Sequence, residues 1–142
     1  MAGGAGVVKT YAAKEVKISC GNHLVTGLAD DSFVSIEAAG DGVTMKYGCD
    51  GEIARAVSPN NTFLVKITVL QPSDSNTFFQ SNFNRDQAKG DAIFPIMVKD
   101  LRNGLLFQAD QAWVTKPASR VRGKDTNNNE WEIQTGEATL NE

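Results

Sequence analysis

The chain has 142 residues, 41% of them hydrophobic and 22% charged, with a net charge of −3. That length suits one domain with a real hydrophobic core, and it needs no metal or cross-link to hold it. The acidic balance gives no global pull toward nucleic acid or anionic membrane, and no stretch approaches the roughly 20 apolar residues of a membrane helix.

The opening MAGGAGVVKTYAAKEVK has small residues where a signal peptide needs a long apolar block, and its lysines are scattered. It reads as a flexible N-terminal arm over residues 1–15, on a protein that stays in the compartment where it is made. Residues 16–142 read as one domain. Cys20 and Cys49 make no CxxC pair, so they are expected to be free thiols acting as small apolar side chains.

Val16 to Cys20 alternates apolar and polar, Gly21-Asn22 interrupts, and His23 to Leu28 resumes the pattern, which predicts a hairpin. Phe33 to Glu37 is a third strand. A turn-rich stretch at about 39–61 follows, where Val43 to Tyr47 and Glu52 to Val57 can pair around Gly48-Cys49-Asp50-Gly51 as a protruding loop or hairpin. Neither run carries enough apolar residues for deep burial. Thr62 to Leu70 is nearly all apolar and predicts a central strand covered on both faces. The Ser73-Asp74-Ser75 cluster offers side-chain caps for a helix at about 74–87, with Phe78, Phe79 and Phe83 on its packed face. Beyond Gly90, strands are expected at Ile93 to Lys99, Leu105 to Lys116 and Glu130 to Ala138, the first two joined by the turn Asp100 to Gly104. The sum is a mostly β fold, a β-sandwich or open barrel of about seven or eight strands with one flanking helix.

Chemistry is sparse. His23 is the single histidine and follows a turn, no GxSxG elbow occurs, and neither cysteine lies at zinc-ligand spacing from it. Asp41, Asp50 and Glu52 miss the alternate-position pattern of a calcium loop. Trp113 and Trp131 lie within strand patterns and are expected in the core. No enzyme activity, cofactor or metal site is expected. Charge is unevenly spread: residues 27–52 hold six acids (Asp30, Asp31, Glu37, Asp41, Asp50, Glu52) against Lys46, while residues 116–124 hold Lys116, Arg120, Arg122 and Lys124 with no acid. If the two regions lie on different surfaces, the acidic patch of one copy can meet the basic loop of the next, a heterologous contact that closes rings or propagates filaments.

A set of blocks runs in order along most of the chain. They are Gly27-Leu28-Ala29-Asp30-Asp31-Ser32-Phe33-Val34-Ser35-Ile36-Glu37, Gly48-Cys49-Asp50-Gly51-Glu52 with Arg55, and Ile67 to Asn76 with its Gln71-Pro72-Ser73-Asp74 turn. Pro95 to Asp100, Ala112-Trp113-Val114-Thr115-Lys116-Pro117 and Glu130 to Glu137 complete them. Together they resemble the tail tube proteins of contractile-tailed bacteriophages and prophages. The glycine-rich start and the two cysteines are not part of that pattern. The resemblance implies hexameric rings that stack into a hollow tube for DNA passage, with DNA only as transient, non-specific cargo. It implies that the segment 39–61 is an arm reaching the next ring, and it makes Asp41, Lys46, Asp50, Glu52, Arg55, Arg120, Arg122 and Lys124 candidates for contacts between subunits or rings. The partners implied are the chain itself and tail sheath, baseplate and tail-terminator proteins, with no membrane. The location implied is the virion tail, with assembly in the host cytoplasm. The tube protein of a bacterial contractile injection or secretion system is the neighbouring alternative. A carbohydrate-binding β-sandwich is a more distant one, and it would require exposed aromatic side chains.

Overall fold

The computed structural model describes Val8 and residues 13–29, 32–102 and 104–141. Most of the expected N-terminal arm therefore lies outside the described residues; its last three, Ala13–Glu15, form a short 3-10 turn. The strands follow as β1 (Val16–Cys20), β2 (His23–Leu24), β3 (Val34–Ala38), β4 (Val43–Tyr47), β5 (Ile53–Val57) and β6 (Thr62–Leu70). After helix α1 (Ser75–Lys89) come β7 (Phe94–Asp100), β8 (Leu106–Lys116) and β9 (Asn128–Asn141). Seven strands form one antiparallel sheet in the order β2-β1-β7-β8-β9-β6-β3, while β4 and β5 pair only with each other.

The sheet is open but strongly curled. Val25 N–H donates to the Ile18 carbonyl outside β1, and Leu70 N–H donates to the Gly27 carbonyl outside β6. Leu28 then bridges Val69. In a flat seven-stranded sheet the two edges would stand roughly 29 Å apart, since strands are spaced about 4.8 Å. Two residues, Val25 to Gly27, span at most about 7 Å. The edges must therefore approach each other, and of the two architectures expected the fold is the open barrel rather than two stacked sheets.

Alternation decides what faces inward. Ile18, Val65, Ile67, Val69, Val98, Phe107, Trp131 and Ile133 are wholly buried, with Phe79 of α1 added to them. Phe79 meets Trp131 with ring centroids 5.4 Å apart, and Phe78 meets Phe94 at 5.8 Å. This covers the core face of β6, but Leu64, Lys66, Thr68 and Leu70 on its other face are only half-buried. The expectation of a strand covered on both faces is thus corrected: β6 lies one strand from the edge, and helix cover falls on one side only. Trp113, expected in the core, points to the outer face beside Gln134 and is half-buried.

The corner between β6 and α1 is fixed by side-chain hydrogen bonds. Asn76 Nδ2 donates to the carbonyls of Leu70, Gln71 and Ser73 at 2.9–3.1 Å, and its Oδ1 accepts from the Trp131 indole N–H (3.0 Å) and Asn129 Nδ2 (2.9 Å). The indole N–H of the buried Trp131 and the side chain of the buried Asn129 are thereby satisfied. At the helix start Ser73 Oγ accepts from Ser75 N–H (3.2 Å), as expected of the cluster, whereas Asp74 occupies the N-cap position with helical dihedrals and makes no side-chain cap bond. Ser73 and Ser75 also hold the crossing segment. Ser73 Oγ donates to the Thr26 carbonyl (2.5 Å) and Ser75 Oγ accepts from Thr26 N–H (3.1 Å). Gly27 sits there at φ +68°, where a Cβ would come 2.7 Å from Ser73 Cβ. The helix closes on Gly90 in the left-handed conformation, whose N–H reaches the Asp86 carbonyl.

Candidate assembly surfaces

The β4–β5 hairpin leaves the sheet between Ala38 and Thr62, and all ten of its strand residues are exposed. Its register pairs Val43 with Val57, Met45 with Arg55 and Tyr47 with Ile53. Directly opposed residues of an antiparallel pair share one face, so these six form a single stripe. Its five apolar members are between 50% and 73% exposed. Thr44, Ala54, Lys46 and Ala56 make the other face. Scattered apolar side chains on a surface are ordinary, but a contiguous exposed stripe is a candidate interaction surface.

The hairpin is held in shape without a core. At its tip Gly48 N–H reaches the Glu52 carbonyl (2.7 Å), Asp50 Oδ1 accepts from Glu52 N–H (3.1 Å), and Gly51 takes φ +91°. At its base Ser58 N–H donates to the Gly42 carbonyl (2.7 Å), and the Asn60 side chain accepts from the backbone and hydroxyl of Thr62. An isolated two-stranded hairpin is marginal in water, so this one gains from a surface to lie on.

The other sequence candidates are divided between the hairpin and the basic loop. Asp41 stands at the hairpin base, Asp50 and Glu52 at its tip, Lys46 on its polar face and Arg55 inside the apolar stripe. Asp30 and Asp31 lie outside the described residues. The basic loop, residues 117–127, lies at the opposite end of β6, where Gln71 N–H donates to the Asn127 carbonyl and Gln71 Oε1 accepts from Asn127 N–H. Arg120 is not the free loop charge that its neighbours suggested. Its guanidinium lies 4.7 Å from the Trp131 ring centroid, donates to Gln80 Oε1 (2.7 Å) and reaches the Ala118 carbonyl. It shields the core tryptophan. Arg122 and Lys124 are exposed.

One pairing escaped the sequence. His23 Nε2 lies 2.8 Å from Ser75 Oγ across 52 residues, and its ring stacks on Phe78 at 4.5 Å. The Ser75 side chain is wholly buried and already accepts from Thr26 N–H, so its oxygen has no open approach for a substrate. The pair ties β2 to α1. Only the fold could bring these two residues together. Among the described residues no cluster of three or more His, Cys, Asp or Glu could hold a metal, and no helix is long and apolar enough to cross a membrane. Cys20 is buried and its thiol pKa is pushed up to about 12 by desolvation, whereas Cys49 is exposed at the hairpin tip.

No family model matches the chain. The chain is 27% identical over 144 residues to Structural protein ORF10 of Pseudomonas phage KPP10, an alignment covering 96% of this chain and 83% of that one. Its fold is shared with the sheath/tube terminator of the extracellular contractile injection system PVC in its extended state, with a TM-score of 0.70 at 11% identity over 96% and 99% of the two chains. The tube-terminating cap of the anti-feeding prophage follows at 0.60 and 11% identity over 95% and 93%. A chain of the PVC sheath-tube complex in the extended state gives 0.59 at 12% identity over 93% and 91%. What the comparisons establish is a likeness to a phage structural protein and the fold of contractile-system tube components.

Proposed function

We propose that this chain is a structural subunit of a contractile phage tail, forming hexameric rings that stack as the tail tube. The observation that carries the reading is the β4–β5 hairpin, a shaped arm whose apolar face is half or more exposed. Likeness to a phage structural protein and to tube components over nearly the whole chain supports it. The hairpin and the basic loop lie at opposite ends of β6, as a head-to-tail contact between copies requires. The short edge strand β2 and the exposed edge of β3 give neighbours in a ring backbone groups to pair with. Asp41, Lys46, Asp50, Glu52 and Arg55 are the contacts on the arm, with Arg122 and Lys124 on the receiving copy. Arg120 contributes indirectly by holding the loop on Trp131. Sheath, baseplate and terminator proteins are the further partners, and DNA passes without specific binding. The subunit assembles in the host cytoplasm and ends in the virion tail.

A second reading is favoured by one observation: the terminator and cap chains have TM-scores of 0.70 and 0.60, ahead of the chain from the sheath-tube complex. On that reading the chain forms one ring that closes the end of a tube. Electron microscopy of the purified protein over a concentration series, with its solution mass, tests both. Hollow tubes of open length support the tube subunit, single rings support the terminator, and a strict monomer at every concentration defeats both.

A further inference from the structure

The hairpin is one half of a contact, and the opposite end of the same strand ladder carries a surface that fits it. Between β1, β2 and the crossing segment lies an open groove of about 350 Å³ with an apolar floor of Val16, Leu24, Val25, Leu28 and Phe33. Leu24 in it is 54% exposed. At the low end of the size range for ligand sites, roughly 300–1,000 Å³, the groove has room for a few side chains. Its rim carries Lys14 and Lys17 and, among the described lining residues, no acid; Glu15 between them pairs with Arg102 at 3.8 Å.

β3 joins the two features. Its groove end is marked by the Phe33 carbonyl, which accepts from Thr68 N–H, and its hairpin end by Ala39 N–H, which donates to the Thr62 carbonyl. The five residues of β3 advance about 17 Å, and the hairpin departs from the far end. One copy's arm and groove thus sit at opposite ends of β3, so that two copies in line could bring them together.

We infer that this groove is the seat for the apolar hairpin stripe of a second copy of the chain, with Asp50 and Glu52 at the arriving tip facing Lys14 and Lys17 on the rim. The contact is heterologous, so each copy offers one arm and one seat, and it propagates or closes according to the rotation between copies. The inference rests on the assembly reading above and names the surface that receives the arm.

The native Cys49 at the hairpin tip makes the contact testable in the full chain, because the buried Cys20 does not compete. Leu24→Cys and Lys17→Cys place a thiol in the groove; Asp110→Cys and Lys89→Cys place one on exposed surfaces elsewhere as controls. A disulfide needs Cβ atoms within about 4.5 Å. Under mild oxidation the groove variants are expected to give a ladder of oligomers on non-reducing gels, and the controls none. Lys17→Glu alone should lose assembly, and Glu52→Lys added to it should restore it. Rings or tubes that form without a groove-specific ladder overturn this seat and leave the assembly reading standing. No ladder and no particles at any concentration overturn both.

Discussion

β6 and β4 are written in similar residues, yet the molecule treats them oppositely. In β6, Val65, Ile67 and Val69 are wholly buried against α1 and the curled sheet; in β4, Val43, Met45 and Tyr47 are at least half exposed. The difference is not one of local preference, since both form antiparallel strands where the sequence led one to expect strands. It comes from what lies across from each face. β6 has β9 on one side, β3 on the other and the helix phenylalanines above, whereas β4 has only β5. Burying apolar surface is worth about 25 cal/mol per Å², and the hairpin stripe, half or more exposed, collects far less of it than β6 does. A body with a buried core thus carries an appendage whose apolar stripe stays exposed.

That contrast can be broken most forcefully in the body. Trp131→Ala removes the centre of the core together with the partner of Asn76, and should cost about 3–5 kcal/mol in urea unfolding. A loss below 1 kcal/mol would mean the core is not organised around this ring. Asn76→Ala should cost about 2–3 kcal/mol, because the indole N–H and three carbonyls lose their partner in one step. Its m-value should be unchanged.

In the hairpin the expectation reverses. Met45→Ser with Tyr47→Ser should shift unfolding by no more than about 0.5 kcal/mol, as substitutions on an exposed surface do, while weakening the formation of rings or tubes seen in the microscope. Deletion of Asp41 to Arg55 should likewise leave a folded body that no longer stacks; tubes of normal length from this variant would remove the arm from the assembly. Arg122→Glu with Lys124→Glu tests the basic loop without disturbing the cover that Arg120 gives Trp131.

The smallest effect separates the two thiols. Cys49 should react with a thiol reagent in the native monomer and become protected on assembly, while Cys20 reacts only after unfolding. Because the folded thiol of Cys20 ionises at about 12 instead of its ordinary 9.0, the unfolded state releases its proton first as pH rises. Stability is therefore intact below pH 9 and falls through the interval from 9 to 12, by up to about 1.4 kcal/mol per pH unit. Cys20→Ala should flatten that part of the curve; an unchanged slope would rule Cys20 out as its source.

Much of this was legible along the chain. Alternation located β1, a nearly continuous apolar run located β6, and turn residues located the β4–β5 hairpin, because such runs and left-handed glycines are local properties; the Gly21-Asn22 and Gly48 to Gly51 turns needed no knowledge of the fold. The exposure of the hairpin was legible too, from its thin apolar content. The sequence also separated an acidic segment from a basic loop.

Other features depended on which segments meet in space. The strand pattern from His23 to Leu28 gave way to a two-residue β2 and a crossing segment, since that stretch must leave β1 and reach β6. Ser73 accepts a first-turn N–H as its position suggested, but Ser73 and Ser75 also anchor Thr26, because the crossing segment passes over the helix start. Trp113 and Trp131 had equivalent settings in sequence, and only the direction of sheet curl sent one inward and the other outward. The His23–Ser75 pair, the Asn76–Trp131 bond and the Arg120–Gln80 bond each join residues 40 or more positions apart, so no local signal could have announced them. The sequence by itself determined the strands, their turns and the charge of each surface; the tertiary structure decided which faces found partners, because burial belongs to pairs of surfaces and not to single segments.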